Sequence, residues 1–155
     1  MKMENNRTIL FRGKVSEDDE LGYKKGEWVK GSLFIDDIEG ETYIFDCGTN
    51  DKVKVDPKTI GQCTGLEDYS NKYEVFEDDI VQDLDDRTLG IVYWDEAEAG
   101  FMIEFDDFVV SAKDMNYYQI VGNKWDNPEF FEDYLDAKLY RESWCKEVNK
   151  WMNIL

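Results

Sequence analysis

The chain has 155 residues, 36 acids against 18 bases, a net charge of −18 and no histidine. The absence of histidine excludes imidazole base catalysis, Ser-His-Asp and Cys-His triads and histidine metal ligation. The acidic balance opposes ordinary binding to nucleic-acid phosphates or to an anionic membrane. Cys47, Cys63 and Cys145 are scattered and contain no C-x-x-C pair, so neither a disulfide framework nor a thiolate zinc site is expected. No apolar run approaches the ~20 residues of a membrane span. The N-terminus lacks the apolar core of a signal peptide, and a cytoplasmic protein is expected.

In chain order, Thr8–Arg12 predicts a short strand and Glu27–Asp36 a second, with Gly31 marking a bulge or a close approach of backbones. Glu39-Gly40 turns the chain into Glu41–Asp46, and Gly48–Asp51 turns it again into Lys52–Val55. Asp56-Pro57 breaks that strand. The central stretch, Thr59 to Phe105, carries three β-type runs: Val75–Leu84, Leu89–Trp94 and Gly100–Phe105. Their spacing predicts an antiparallel meander or small barrel, with Ile80, Ile91, Trp94, Phe101 and Ile103 buried. Phe108–Val110 and Met115–Val121 are two further strand candidates.

Asn127-Pro128-Glu129 has the composition of a helix start, with Asn as N-cap and Pro at the first helical position. The pattern predicts a helix from Pro128 towards Asn153, with a stripe that includes Trp144 and Trp151. The expected class is therefore mainly β (α+β), a small antiparallel β barrel or meander with a C-terminal α-helix. Residues 1–127 form the β domain and 128–155 a helical extension.

The charge is uneven. Tyr73 to Ala112 holds 13 acids and one base, Arg87, a net of −12. Glu77, Asp78, Asp79, Asp83, Asp85 and Asp86 are the densest cluster, and with Trp144 and Trp151 they are the candidate interaction surface. On a strand alternate side chains diverge, so a solvated acidic edge is preferred over a cation site. Such an edge also discourages edge-to-edge strand pairing. Lys14, Lys24, Lys25 and Lys30 form a weakly basic patch diluted by neighbouring acids, and Trp28 reads as a half-buried β residue.

Several phrases occur in the order of a known family: Phe11-Arg12-Gly13-Lys14, Gly26-Glu27-Trp28-Val29, Val55-Asp56-Pro57, Thr59-Ile60-Gly61-Gln62, Thr64-Gly65-Leu66, Asp79-Ile80-Val81, Gly90-Ile91-Val92, Trp94-Asp95-Glu96, Ile120-Val121-Gly122-Asn123 and Asn127-Pro128-Glu129. The chain strongly resembles the YopX-like proteins, which occur in bacteriophages and prophages, over about residues 8 to 131. The resemblance implies a mainly β fold and a phage or prophage origin. It implies no activity and supplies no catalytic residue. Two positions depart from the family pattern. Asp78 stands where the family has glycine, so a positive φ is expected there at some strain. Ser70-Asn71 replaces a turn that usually contains Asn-Gly, and Asn tolerates the same conformation.

The sequence reading is a non-enzymatic phage or prophage accessory protein acting by protein–protein contact. It has no catalytic residues, no metal and no cofactor. Its expected partners are itself, as a homo-oligomer, or another protein, without direct nucleic acid or membrane. The first alternative is an acidic nucleic-acid mimic that blocks a DNA-binding protein, to be recognised by two rows of carboxylates spaced like duplex phosphates. The second is a carboxylate and divalent-metal enzyme, which requires at least three carboxylates converging in a concavity.

Overall fold

A computed structural model describes residues 8–130. Eleven strands occur among them: β1 Phe11–Lys14, β2 Trp28–Asp36, β3 Glu41–Asp46, β4 Lys52–Lys54, β5 Gly61–Glu67, β6 Glu74–Phe76, β7 Asp79–Asp83, β8 Leu89–Asp95, β9 Gly100–Glu104, β10 Val109–Ser111 and β11 Tyr118–Asn123. They form two antiparallel sheets. Sheet 1 has the order β4-β3-β2-β1-β5-β6, and sheet 2 the order β10-β9-β8-β7-β11. The chain is mainly β, as its alternation predicts. Both sheets stay open, so the meander is realised and the barrel is not.

There are two hydrophobic clusters. In sheet 1, Val15, Val29, Ile44, Val53 and Val55 pack together. The other sets Val75 of β6, from sheet 1, against Val81, Val92, Ile103 and Phe105, with Ala112, Met115 and Tyr118. The β2–β3–β4 meander follows from its turns. Asp36 accepts from the Ile38 and Glu39 amides, and Asp46 from the Gly48 amide, so each reversal is closed by its own carboxylate.

Gly31 is the close approach that its sequence position suggests. A Cβ there would lie 1.7 Å from the Phe45 carbonyl oxygen. Gly31→Ala is therefore expected to force β2 and β3 apart and to cost at least about 1–3 kcal/mol, the usual penalty of overpacking. An unchanged urea midpoint would contradict this placement.

Several expectations need correction. Val75–Leu84 is two strands in two different sheets, split where Asp78 adopts φ +69°. The chain thus crosses between sheets at the position where the family has glycine. Asn71 likewise takes φ +55°. Gly61–Glu67 is a full strand, although its two glycines hide it in the sequence. The first strand begins at Phe11 rather than Thr8, and most of Met115–Val121 divides between a 3-10 turn over Ala112–Tyr117 and β11.

Ile80, Ile91 and Ile103 are buried, but Trp94 is 44% exposed and Phe101 only half-buried. Trp94 pairs with Phe101 and has the same strand parity as Val92, whose partner is Ile103. It faces the core side but lies past the end of the core, edge-on to Phe101 at 5.0 Å.

Residues 128–130 enter a helix. The Asn127 carboxamide oxygen accepts from the Asn123 amide behind it rather than from the helix ahead, so its side chain closes the preceding turn. The remainder of the expected helix, with Trp144 and Trp151, lies outside the described residues.

Candidate functional site

The six acidic candidates do not share one surface. Asp79 is 2% exposed and cannot contact a partner. Asp78 binds the Lys124 ammonium at 3.2 Å. Glu77 accepts from the Gln62 amide at 2.9 Å, and burial raises its pKa. Asp83 accepts from the amides of Asp85 and Asp86, while Asp86 accepts from the amide and hydroxyl of Thr88. These last contacts close the β7–β8 turn. Asp95 closes the β8–β9 turn in the same way, through Ala97 and Glu98. The β7–β8 and β8–β9 turns lie at opposite ends of β8, so the −12 segment is divided between the two ends of sheet 2. Among the described residues no three Cys, Asp or Glu side chains gather as metal ligands.

The chemistry concentrates instead between the sheets, around Arg12 of β1. Its Nη2 donates to Asp79 Oδ1 at 2.8 Å and to the Glu77 carbonyl at 3.2 Å. Asp79 Oδ2 accepts from the Phe76 amide at 2.8 Å. The guanidinium carbon lies 4.6 Å from the Trp28 ring centre and 4.9 Å from that of Phe76, a stack on two aromatic rings. Arg12 Nε is buried and has no partner among the described residues. Burial raises the Asp79 pKa to about 6, outweighing the opposing pull of Arg12 and the Phe76 amide.

A second clasp lies beside the first. Asp126 Oδ2 accepts from Trp28 Nε1 at 2.7 Å and from Asn123 Nδ2 at 3.0 Å, and its Oδ1 pairs with Lys14. Burial pushes this carboxyl up, but Lys14, Trp28 and Asn123 together hold it down at about 2. Asp68 ties the β5–β6 hairpin to β11, accepting from Ser70 and from the Ile120 amide. Residues from β1, β2, β5, β6, β7 and β11 thus fix the relative position of the sheets.

These contacts border a groove of about 860 Å³, lined among others by Arg12, Trp28, Lys30, Asp46, Lys72 and Glu74. Arg12 and Lys30 are register partners on β1 and β2, and Glu67 and Glu74 are register partners on β5 and β6. The lining thus carries both signs of charge. The face of sheet 1 that carries Arg12 and Lys30 continues outwards. Phe34 pairs with Tyr43, Ser32 with Phe45, and Phe45 with Lys52, so all of them share the side of Lys30. Phe34 and Phe45 are 42% and 38% exposed, and their ring centres lie 6.2 Å apart. The Lys52 ammonium rests 4.2 Å from the Tyr43 ring centre.

The pattern of two sheets joined at Arg12, Trp28 and Asp79 is carried by the stretch that one family description covers. The description is "YopX protein", and it matches residues 10–132. The chain belongs to the YopX family. No curated protein matches it. In this YopX-family chain the matched residues include both sheets and both clasps, while Trp144 and Trp151 lie beyond the match.

Taken singly, Arg12, Trp28, Asp126 and Lys30 carry no functional signal in the sequence. Lys14 and Lys30 do lie on one sheet face, whereas Lys24 and Lys25 belong to the β1–β2 loop. The available signal was the alternation Arg12-x-Lys14 and Trp28-x-Lys30, which places four large side chains on one face once β1 and β2 are paired.

Proposed function

We propose that this YopX-family protein is a non-enzymatic accessory protein of a phage or prophage, acting in the bacterial cytoplasm by contact with another protein. The observation that carries this is the aromatic face of the β2–β3 hairpin. Phe34, Tyr43 and Phe45 lie side by side on one face of the hairpin, and Phe34 and Phe45 are 42% and 38% exposed. A contiguous exposed apolar patch on a strongly charged body is the usual mark of an interaction site. Among the described residues no helix is long and apolar enough to cross a membrane.

Among the described residues the acidic turns lie at opposite ends of sheet 2 rather than in one cluster. A homo-oligomer formed through the stripe that contains Trp144 and Trp151 belongs to the same reading. Light scattering tests it: Trp144→Glu with Trp151→Glu is expected to lower the mass while the β fold persists. A monomeric wild type removes the oligomer.

For the main reading, proteins from infected or lysogenic cells are captured on wild type and on the Phe34→Ser/Phe45→Ser variant. The captured partner is then purified and titrated. Loss of two exposed aromatic anchors is expected to weaken binding by at least about tenfold, since such residues often contribute more than 1 kcal/mol each. A partner that binds both proteins equally, with both folded, overturns the assignment of this face.

A further inference from the structure

We propose that the aromatic face of the β2–β3 hairpin takes an acidic polypeptide partner, one that sets a large apolar side chain among carboxylates. This deepens the protein-contact reading and rests on it, because it names the charge of whatever docks at Phe34 and Phe45.

Local charge selects the partner. The chain has 36 acids and 18 bases, yet this face has the opposite sign. Lys52 is the register partner of Phe45. Its ammonium lies 4.2 Å from the Tyr43 ring centre and 5.3 Å from that of Phe34. The rings hold the ammonium against the patch, but they are neutral and leave its charge uncompensated. Ser32 stands opposite Phe45, and Lys30, two residues before Ser32, shares its face. Both lysines are exposed, and neither makes an ion pair among the described residues. The other cations of the face, Arg12, Lys14 and Lys54, already have carboxylate partners.

The neighbouring acids do not cancel these two charges. Asp36 and Glu41 share the face at the hairpin end. Asp36 accepts from the Ile38 and Glu39 amides, and Glu41 pairs with Lys54 at 3.3 Å. Asp46 has the other parity and accepts from the Tyr23 hydroxyl at 2.8 Å. Asp37 and Glu39 stand in the turn beyond Asp36, past the aromatic cluster. The acidic β7–β8 and β8–β9 turns belong to sheet 2. The Debye length at physiological salt is about 8 Å, so at contact the charges beside the rings outweigh distant ones. An apolar side chain laid on Phe34 and Phe45 brings its chain neighbours to the level of Lys30 and Lys52. A carboxylate there gains a charge-assisted hydrogen bond, and a lysine or arginine meets a like charge. Nucleic acid fits less well. Its affinity comes from many phosphate contacts, and Lys52 lies over ring faces that a stacked base would need.

The test selects random linear peptides of about ten residues, longer than a typical strand, on the full chain. Peptides that also bind Phe34→Ser/Phe45→Ser are discarded. The rest are expected to pair an aromatic or aliphatic anchor with Asp or Glu and to carry net negative charge. One of them is titrated against wild type and Lys30→Glu/Lys52→Glu, with each variant's folding checked by its melting curve. The charge reversal is expected to weaken it by at least about tenfold, through the loss of two charge-assisted contacts. The same peptide with lysine in place of its acids is expected to bind wild type at least about tenfold less tightly, and the reversed variant more tightly than wild type. Its titration against wild type needs no variant to fold. The proposal is overturned if no peptide is enriched, if the enriched peptides are neutral or basic, if charge reversal leaves their affinity unchanged, or if polythymidylate displaces them. Neutral or basic peptides that still require Phe34 and Phe45 would leave the protein-contact reading standing without the acidic partner. A purified partner indifferent to both aromatics would remove that reading itself.

Discussion

Asp79→Ala is expected to destabilise the folded chain by about 3–5 kcal/mol, the cost of removing one partner from a buried ion pair. Three losses coincide at this position. Arg12, with only 12% of its side chain exposed, keeps a buried positive charge without its carboxylate. The Phe76 amide loses its acceptor. A buried cavity opens between the sheets. The double variant Arg12→Met/Asp79→Leu is expected to recover part of the loss, because it removes the charge and the cavity together. Urea unfolding measures both. An Asp79→Ala protein within about 1 kcal/mol of wild type would show that this pair does not hold the sheets together.

The same carboxylate fixes the direction of a pH effect. Its folded pKa, about 6, is above the ordinary value of 3.8, because burial disfavours the charged form. Between these values the folded protein binds more protons at this site than the unfolded chain. The contribution of Asp79 is therefore fully present below pH 3.8 and is lost as the pH rises towards 6. Wild-type stability, measured against Asp79→Asn, is expected to fall across that window and to level off above it. A difference that rises with pH would reverse the assignment. Asp126 acts in the opposite sense. Its lowered pKa makes its contribution present at neutral pH and lost as the pH falls towards 2.

Ile103→Ala is expected to cost about 2–5 kcal/mol, the range for large-to-small changes in a packed core. Ile103 is 0% exposed and lies among Val75, Val81, Val92 and Phe105. A Cβ on Gly90 would meet its Cγ2 at 2.7 Å, which shows how tightly β8 and β9 side chains fill this space. An unchanged thermal midpoint would mean that the sheet 2 core collapses around the missing atoms.

Local signals made much of the fold legible. The β2–β3–β4 meander could be read because its turns carry Asp36, Glu39-Gly40 and Asp46, each with a defined backbone role. The strained position at Asp78 was legible too, since an acid occupied a position that calls for positive φ. Its consequence was not. A left-handed residue inside an apparently continuous β run marks a change of sheet only when the partners of both halves are known. β5 escaped because a strand held by neighbours on both sides needs little intrinsic β propensity.

The site itself was mostly illegible for a related reason. Arg12 and Asp79 are 67 positions apart, and Trp28 and Asp126 are 98 apart. No periodicity connects residues in different sheets. The acidic run around Asp79 suggested a surface, but burial separates its members: one neutralises an arginine, one pairs with Lys124, and others close their own turns. Composition could report the charge of that segment and not its use.

Hydrogen exchange of the protein bound to its purified partner tests most directly whether it acts through sheet 1. Slowed exchange is predicted in the β2–β3 hairpin around Phe34 and Phe45, with the β7–β8 and β8–β9 turns unchanged. Protection confined to the acidic turns at Asp83–Thr88 and Asp95–Glu98, with the hairpin exchanging as in the free protein, would contradict it and favour the nucleic-acid mimic.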